Sequence, residues 1–330
     1  MSQSLDSRSR SFNLRTIAAL AIFLGAVSTL QSSYAEEPVP YVIVLGTAQD
    51  GGFPQIGCTG SNCVKAQSDH AFHRAVSSLL IADPATGKRW LIDATPDIKE
   101  QVERARPHPG TRVDQGARPP LFDGIFLTHA HMGHYTGLLQ LSGPAYGAKN
   151  VPVYVGDRMR KFLSENGPWD LMLHEENIRL VPIESGQPIE LSSNLVITPI
   201  SVPHRDEYSN TFGYLINGPN RSLLFIPDID KWERWETPIE DVIARIDIAF
   251  LDGTFYQDGE IPGRSMADIP HPFIQESIKR FQKLPVAERN KVHFIHLNHT
   301  NPAIDPNSDA TKEVISSGMA IAYDGQRIDL

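Results

Sequence analysis

Cysteine is nearly absent from this chain, which has two among 330 residues, Cys58 and Cys63. Two thiolates do not complete the tetrahedron of a closed structural zinc, so cysteine alone builds no such site here. Long runs of Lys and Arg are missing as well. With a formal net charge of −9 and a pI near 5.7, the chain lacks the basic surface that gains affinity by releasing counterions. Nucleic acid and anionic membrane are therefore excluded as main partners. No apolar stretch reaches the ~20 residues of a stable membrane span, and there is neither a low-complexity tract nor a solenoid-type period. The glycine-rich turn Gly46-Thr47-Ala48-Gln49-Asp50-Gly51-Gly52-Phe53-Pro54 lacks the Lys-Ser/Thr of a phosphate-binding loop. It also lacks the spaced glycines of a dinucleotide turn, and reads instead as a tight loop near the site.

What is present begins with a leader. Arg8, Arg10 and Arg15 precede the short apolar run Ile17 to Val27, and Ser33-Tyr34-Ala35 follows it. A basic start, an apolar centre and a small-x-small exit predict a secretory signal over residues 1–35, cleaved after Ala35, with an uncleaved anchor as the alternative. The absence of an Arg-Arg pair favours the general secretion route over the twin-arginine one. Residues 36–330 are then one exported domain, periplasmic or extracellular, with no stable membrane span after cleavage. In an oxidising setting Cys58 and Cys63 either close a small disulfide ring, the preferred expectation, or lend two ligands to a structural zinc.

The chemistry gathers at Thr128-His129-Ala130-His131-Met132-Gly133-His134. Three histidines in six positions follow an apolar stretch, Leu121 to Leu127, that reads as a buried strand, and precede Tyr135 to Leu141, which can begin a helix. Imidazoles on a strand-to-helix turn can converge, and such a set suits zinc, iron or manganese with positions left open for water. Further strands are expected at 41–45, 76–81, 89–93, 151–155, 195–201, 212–217, 222–227, 246–251, 292–297 and 319–323. Helices are expected at 157–166, 232–245, 272–281 and 310–316, with an irregular excursion over 167–177. Metal-type residues recur where these strands end: His129, His131, His134, His204, Asp228, Asp252, His296 and His299. Strand ends along one edge of a layered sheet share a crevice, and this convergence is what a one- or two-metal hydrolytic site requires. The two blocks of strands, each followed by helices, predict an α/β fold of two sheets with helices outside.

The order H-x-H-x-x-H, then His, Asp and His, resembles the metallo-β-lactamase superfamily, whose four-layer αββα sandwich holds one or two metals between its sheets. A narrower resemblance lies in Gly51-Gly52-Phe53-Pro54-Gln55, Asp252-Gly253-Thr254, His296-Leu297-Asn298-His299-Thr300-Asn301-Pro302 and Ala322-Tyr323-Asp324-Gly325. These segments look like the protein B group of pyrroloquinoline quinone biosynthesis and its phosphodiesterase and tRNA-processing relatives. The resemblance implies a first metal on His129, His131 and His204, a bridging Asp228, and a second metal on His134 and His296. It makes His299 a second candidate ligand or a proton donor, and Asp252 a ligand, an orienter of a histidine, or a loop cap. His293 reads as structural, and Arg205 and Tyr208 either contact an anionic substrate or are exposed loop residues. One departure stands out: the motif carries Asp where this chain has Gly133, which leaves the second site short of a carboxylate. The implied activity is zinc-dependent hydrolysis, with one or two ions, of an ester, lactone, amide or phosphodiester in a small-molecule substrate. Iron-dependent oxygenation and a non-catalytic binding protein are the alternatives.

Overall fold

The computed structural model describes residues 38–108, 119–261, 263, 265, 266 and 269–330. The expected leader lies outside the described residues, as does most of the loop 106–120. Fourteen strands fall among the described residues: β1 (Tyr41–Gly46), β2 (Ser78–Asp83), β3 (Lys88–Ile92), β4 (Gly124–Phe126), β5 (Val151–Val155), β6 (Ile178–Pro182) and β7 (Ile189–Ser192), then β8 (Leu195–Ser201), β9 (Phe212–Asn217), β10 (Ser222–Ile226), β11 (Ile248–Asp252), β12 (Val292–Ile295), β13 (Ala320–Ile321) and β14 (Arg327–Asp329). They form two seven-stranded sheets, ordered β14-β1-β2-β3-β4-β5-β6 and β13-β12-β11-β10-β9-β8-β7.

Alternation along the strands explains the layering, because successive side chains leave a strand on opposite faces. Val42, Val44, Leu79 and Ile81 meet Tyr214, Ile216, Leu223, Phe225 and Phe250 in a core between the two sheets. Their neighbours Ile43, Leu45 and Leu80 instead pack outward on Ile98, Leu138, Met159 and Leu163. Leu224, Ile226 and Leu251 do the same on the other side, against Ile239, Ile274, Ile278 and Phe281. Two sheets face to face with helices on both outer surfaces make the αββα sandwich. Strands β3 to β6 pair in parallel, as do β10 to β13, and parallel strands need both faces covered.

Some elements differ from expectation for local reasons. The stretch 167–177 carries a helix, Trp169–His174, whose Trp169 and Leu173 pack on the outer core of the first sheet. The span 232–245 is broken into a 3-10 turn, Trp232–Arg234, and a helix, Ile239–Ile243, that starts after Pro238. Proline lacks the N–H a continuous helix would need there. The last expected strand shrinks to Ala320–Ile321, and the chain then returns as β14 to pair with β1. Both strand edges lead toward the site. Past β1, Leu297 N donates to Thr47 O and Gln49 N donates to Leu297 O, each at 2.9 Å, so the exit of β1 is stitched to the exit of β12 across the two sheets.

Candidate metal centre

Each side chain of the centre hangs just past a strand. His129 and His131 follow β4, and His131, on extended backbone, holds the N-cap position of the short helix Met132–Tyr135 that carries His134. His204 follows β8, Asp228 follows β10, Asp252 ends β11, and His296 follows β12. His296 holds φ at 66°, and Asp93, just past β3, holds 65°. Left-handed backbone at non-glycine residues is strained, and such strain collects at functional sites.

The first group is His129, His131, His204 and Asp228. His131 Nδ1 lies 2.8 Å from His129 Nε2 and 3.3 Å from His204 Nε2. Asp228 closes the figure, with Oδ2 3.3 Å from His129 Nε2 and Oδ1 3.4 Å from His204 Nε2. A tetrahedron of ligands with bonds of about 2.0–2.1 Å has edges of about 3.3 Å, so these four residues fit a zinc-sized divalent cation. Burial, with His134 close by, holds His129 well below the usual histidine range, and burial lowers His131 too. Both therefore present neutral nitrogens, the form that binds metal.

The second group is Asp50, His134, Asp228 and His296. His134 Nε2 is 3.3 Å from Asp50 Oδ1 and 3.4 Å from Asp228 Oδ2, while His296 Nε2 is 3.8 and 3.6 Å from the same two oxygens. Asp50 Oδ1, Asp228 Oδ1, His134 Nε2 and His296 Nε2 are buried and have no hydrogen-bond partner. Orphaned polar atoms of this kind are costly unless something else engages them, and a cation shared by Asp228 would engage all four residues. The opposite ring nitrogens are already committed. His134 Nδ1 stands 2.7 Å from Asp93 Oδ2, and His296 Nδ1 2.9 Å from Thr254 Oγ1, which turns each Nε2 inward in the way outer partners orient metal-binding histidines. Burial opposes the ionised form of Asp50 and Asp228, but the surrounding histidines outweigh it and keep both carboxyls well below their ordinary range.

Asp252 is fully buried beneath His271: Oδ2 lies 2.8 Å from His271 Nδ1, and that nitrogen is 3.2 Å from Asp228 Oδ1. Burial alone would push His271 down, yet Asp252 and Asp228 together raise it to about 9. Asp228, Asp252 and His271 thus form a third close-set donor group, sharing Asp228 with the other two.

The structure brings together seven residues named from the sequence: His129, His131, His134, His204, Asp228 and His296 in the first two groups, and Asp252 beside Asp228 and His271. His299 joins none of the three groups among the described residues, and its Nδ1 is buried without a partner. His293 lies on β12 against the Phe250 ring, away from the groups. Gly133, expected to leave the second site short of a carboxylate, stands against Asp50, which the loop after β1 brings into the group of His134, Asp228 and His296. Asp50, His271 and Asp93 were not singled out by the sequence. Asp50 and Asp93 obey the strand-end rule that found the others, whereas His271, between Pro270 and Pro272, offers no pattern signal.

Arg205 and Tyr208 stand on the loop after His204. The guanidinium of Arg205 is 3.2 Å from His131 Nε2, and exposed Tyr208 stacks on Phe162, with ring centroids 5.0 Å apart. Cys58 and Cys63 are joined as a disulfide. No helix among the described residues is long and apolar enough to cross a membrane.

Comparison with known proteins agrees with this geometry. A family model described as the β-lactamase superfamily domain matches residues 88–327. Coenzyme PQQ synthesis protein B of Pseudomonas protegens is 29% identical over 320 residues, covering 88% of this chain and all of that protein. The crystal structure of zinc-bound PqqB from Methylobacterium extorquens superposes with a TM-score of 0.73 at 25% identity, over 88% of this chain and 100% of that one. A diphosphatase of the PhnP family, at 21% identity and a TM-score of 0.59 over 89% and 98% of the two chains, shares the fold. With its sandwich, its paired donor groups and a family match over most of its length, this chain belongs to the β-lactamase superfamily and within it is PqqB-like.

Proposed function

We propose that the chain is a metal-dependent hydrolase that uses zinc, as one or two ions, to cleave an ester, lactone, amide or phosphodiester bond in a small-molecule substrate. The observation that carries this reading is the set of buried, unpartnered donor atoms arranged around Asp228. A divalent cation bound there supplies Lewis acidity and draws the pKa of a water toward neutrality. The chain's own residues supply the rest. His129, His131 and His204 would hold a cation in the first position, and Asp228, which belongs to both groups, would be shared between them. His271, held by Asp252 and Asp228, is the residue proposed to supply a proton to the departing oxygen or nitrogen.

Metal analysis of the purified protein, followed by chromogenic phosphodiesters, esters, lactones and β-lactams, tests the proposal. Stoichiometric zinc with metal-dependent turnover is the expected result, and a protein that retains no stoichiometric metal sinks it. A second reading, iron-dependent oxygenation, rests on the donor mix of His134, His296 and carboxylates, which also suits non-haem iron. Bound iron with oxygen consumption and no hydrolysis would select it. Export of residues 36–330 is a further part of the proposal, supported by the composition of residues 1–35 and by the disulfide, which persists in oxidising compartments. N-terminal sequencing of protein recovered from the periplasm should begin at Glu36.

A further inference from the structure

The superfamily motif that this chain resembles places an aspartate where Gly133 stands, so the carboxylate of a second ion must come from elsewhere or be missing. We infer that Asp50 supplies it from the end of β1, and that position 133 is glycine because Asp50 fills the space a side chain there would take. The inference rests on the metal-loaded reading above.

Steric exclusion carries the argument. A Cβ built on Gly133 would lie 2.2 Å from Asp50 Oδ1, 2.6 Å from its Cα and 2.9 Å from its Cγ. The Cα is backbone and cannot swing away as a side-chain tip does, so a side chain at 133 and Asp50 in its present place are mutually exclusive. Gly133 sits within the short helix Met132–Tyr135 and does not adopt positive φ. Glycine there costs roughly 1 kcal/mol against alanine in helix propensity, and backbone conformation does not require it. Space for Asp50 does.

Position and chemistry agree. The stitching of Gln49 to Leu297 holds Asp50 beside His296, and Gly52 N donating to Gln49 O at 2.8 Å closes the turn around it. Asp50 Oδ1 is buried without a hydrogen-bond partner and points at the unpartnered Nε2 atoms of His134 and His296. His134 is already served on its other nitrogen by Asp93, so Asp50 is surplus as a mere counterion. A carboxylate oxygen facing two metal-type nitrogens and Asp228 is what a second cation requires.

Zinc titration by calorimetry, metal content after dialysis, and visible spectra of the cobalt-substituted protein test this without reference to turnover. Wild type should take two equivalents. Asp50→Ala, Asp50→Asn and Gly133→Ala should keep the first equivalent and bind the second at least tenfold more weakly. Gly133→Ala removes no donor atom and acts by crowding Asp50, whereas Asp50→Asn leaves His134 and its helix untouched and is the deciding variant. Asp50→Asn keeps the side chain's shape and carries the test if Asp50→Ala does not fold, with the retained first equivalent as the internal control. Unchanged second-site affinity in these variants overturns the inference, as does a wild type that binds one ion whose affinity Asp50→Ala leaves alone, and either result leaves the hydrolase proposal standing. A wild type that binds no zinc overturns both.

Discussion

At the scale of single residues, the centre divides into groups that hold and groups that aim. His204→Ala removes a donor from the first group, and activity should fall by at least about a thousandfold, with loss of the first equivalent in the same metal titration. Asp93 aims. It receives Thr128 N–H and Oγ1–H as well as facing His134, and Asp93→Asn should weaken the second site by ~10–100-fold in zinc titration with little change at the first. His271 links the centre to pH. Its folded pKa is raised to about 9 from a usual value near 6.5, so its protonation stabilises the metal-free protein fully below about pH 6.5. That contribution fades as pH rises toward about 9, and it is of the order of 3 kcal/mol. Urea denaturation of the metal-free protein between pH 6 and 10 should therefore show a decline that His271→Gln flattens; an unaltered slope would mean that the proton sits elsewhere. The residues read from the sequence were those whose type and place coincide: histidines immediately after apolar runs. Asp50 escaped because motif reasoning seeks the carboxylate next to the histidines in sequence, whereas the fold brings it from a strand more than 70 positions away. His271 escaped because nothing around Pro270-His271-Pro272 marks a strand end.

At the scale of elements, the loop after β1 is the one whose meaning changes most. Read alone it is glycine-rich and empty of motif, yet it delivers Asp50 and leads into the disulfide between Cys58 and Cys63. Close by, Phe53, Cys63, Ala66 and Ile304 form a small core of their own. A crosslink closing so short a loop stabilises by about 2 kcal/mol in chain-entropy terms. Paired Cys58→Ser and Cys63→Ser replacement should lower stability by about that amount in denaturant unfolding while leaving the first zinc equivalent in place. Strands with clean alternation, such as β8, or with solid apolar runs, such as β1 and β2, were legible to within a residue or two. Less legible were β6, β7 and β14, which are short and partly exposed, and whose place depends on the neighbours that pair with them rather than on their own pattern.

At the scale of the whole molecule, the sandwich follows from strand periodicity: one side-chain set faces the opposing sheet and the other faces the helices. Phe225, fully buried in the layer between the sheets, tests that account. Phe225→Ala should cost about 3–5 kcal/mol in chemical denaturation, and a much smaller loss would mean that the inter-sheet layer is not the principal core. What the sequence could not show is how the halves are registered against each other, since that depends on contacts between residues hundreds of positions apart. The pairing of Gln49 and Thr47 with Leu297 has an outcome for motion. Donors come from both halves of the sandwich and meet on Asp228, so a bound ion acts as a rivet through the seam: any slippage of one half over the other must first break its coordination. Zinc should accordingly slow amide hydrogen exchange at Gln49 and Leu297 far more than on the distant edge strand β6, making the cation a fastener of the architecture as well as a reagent.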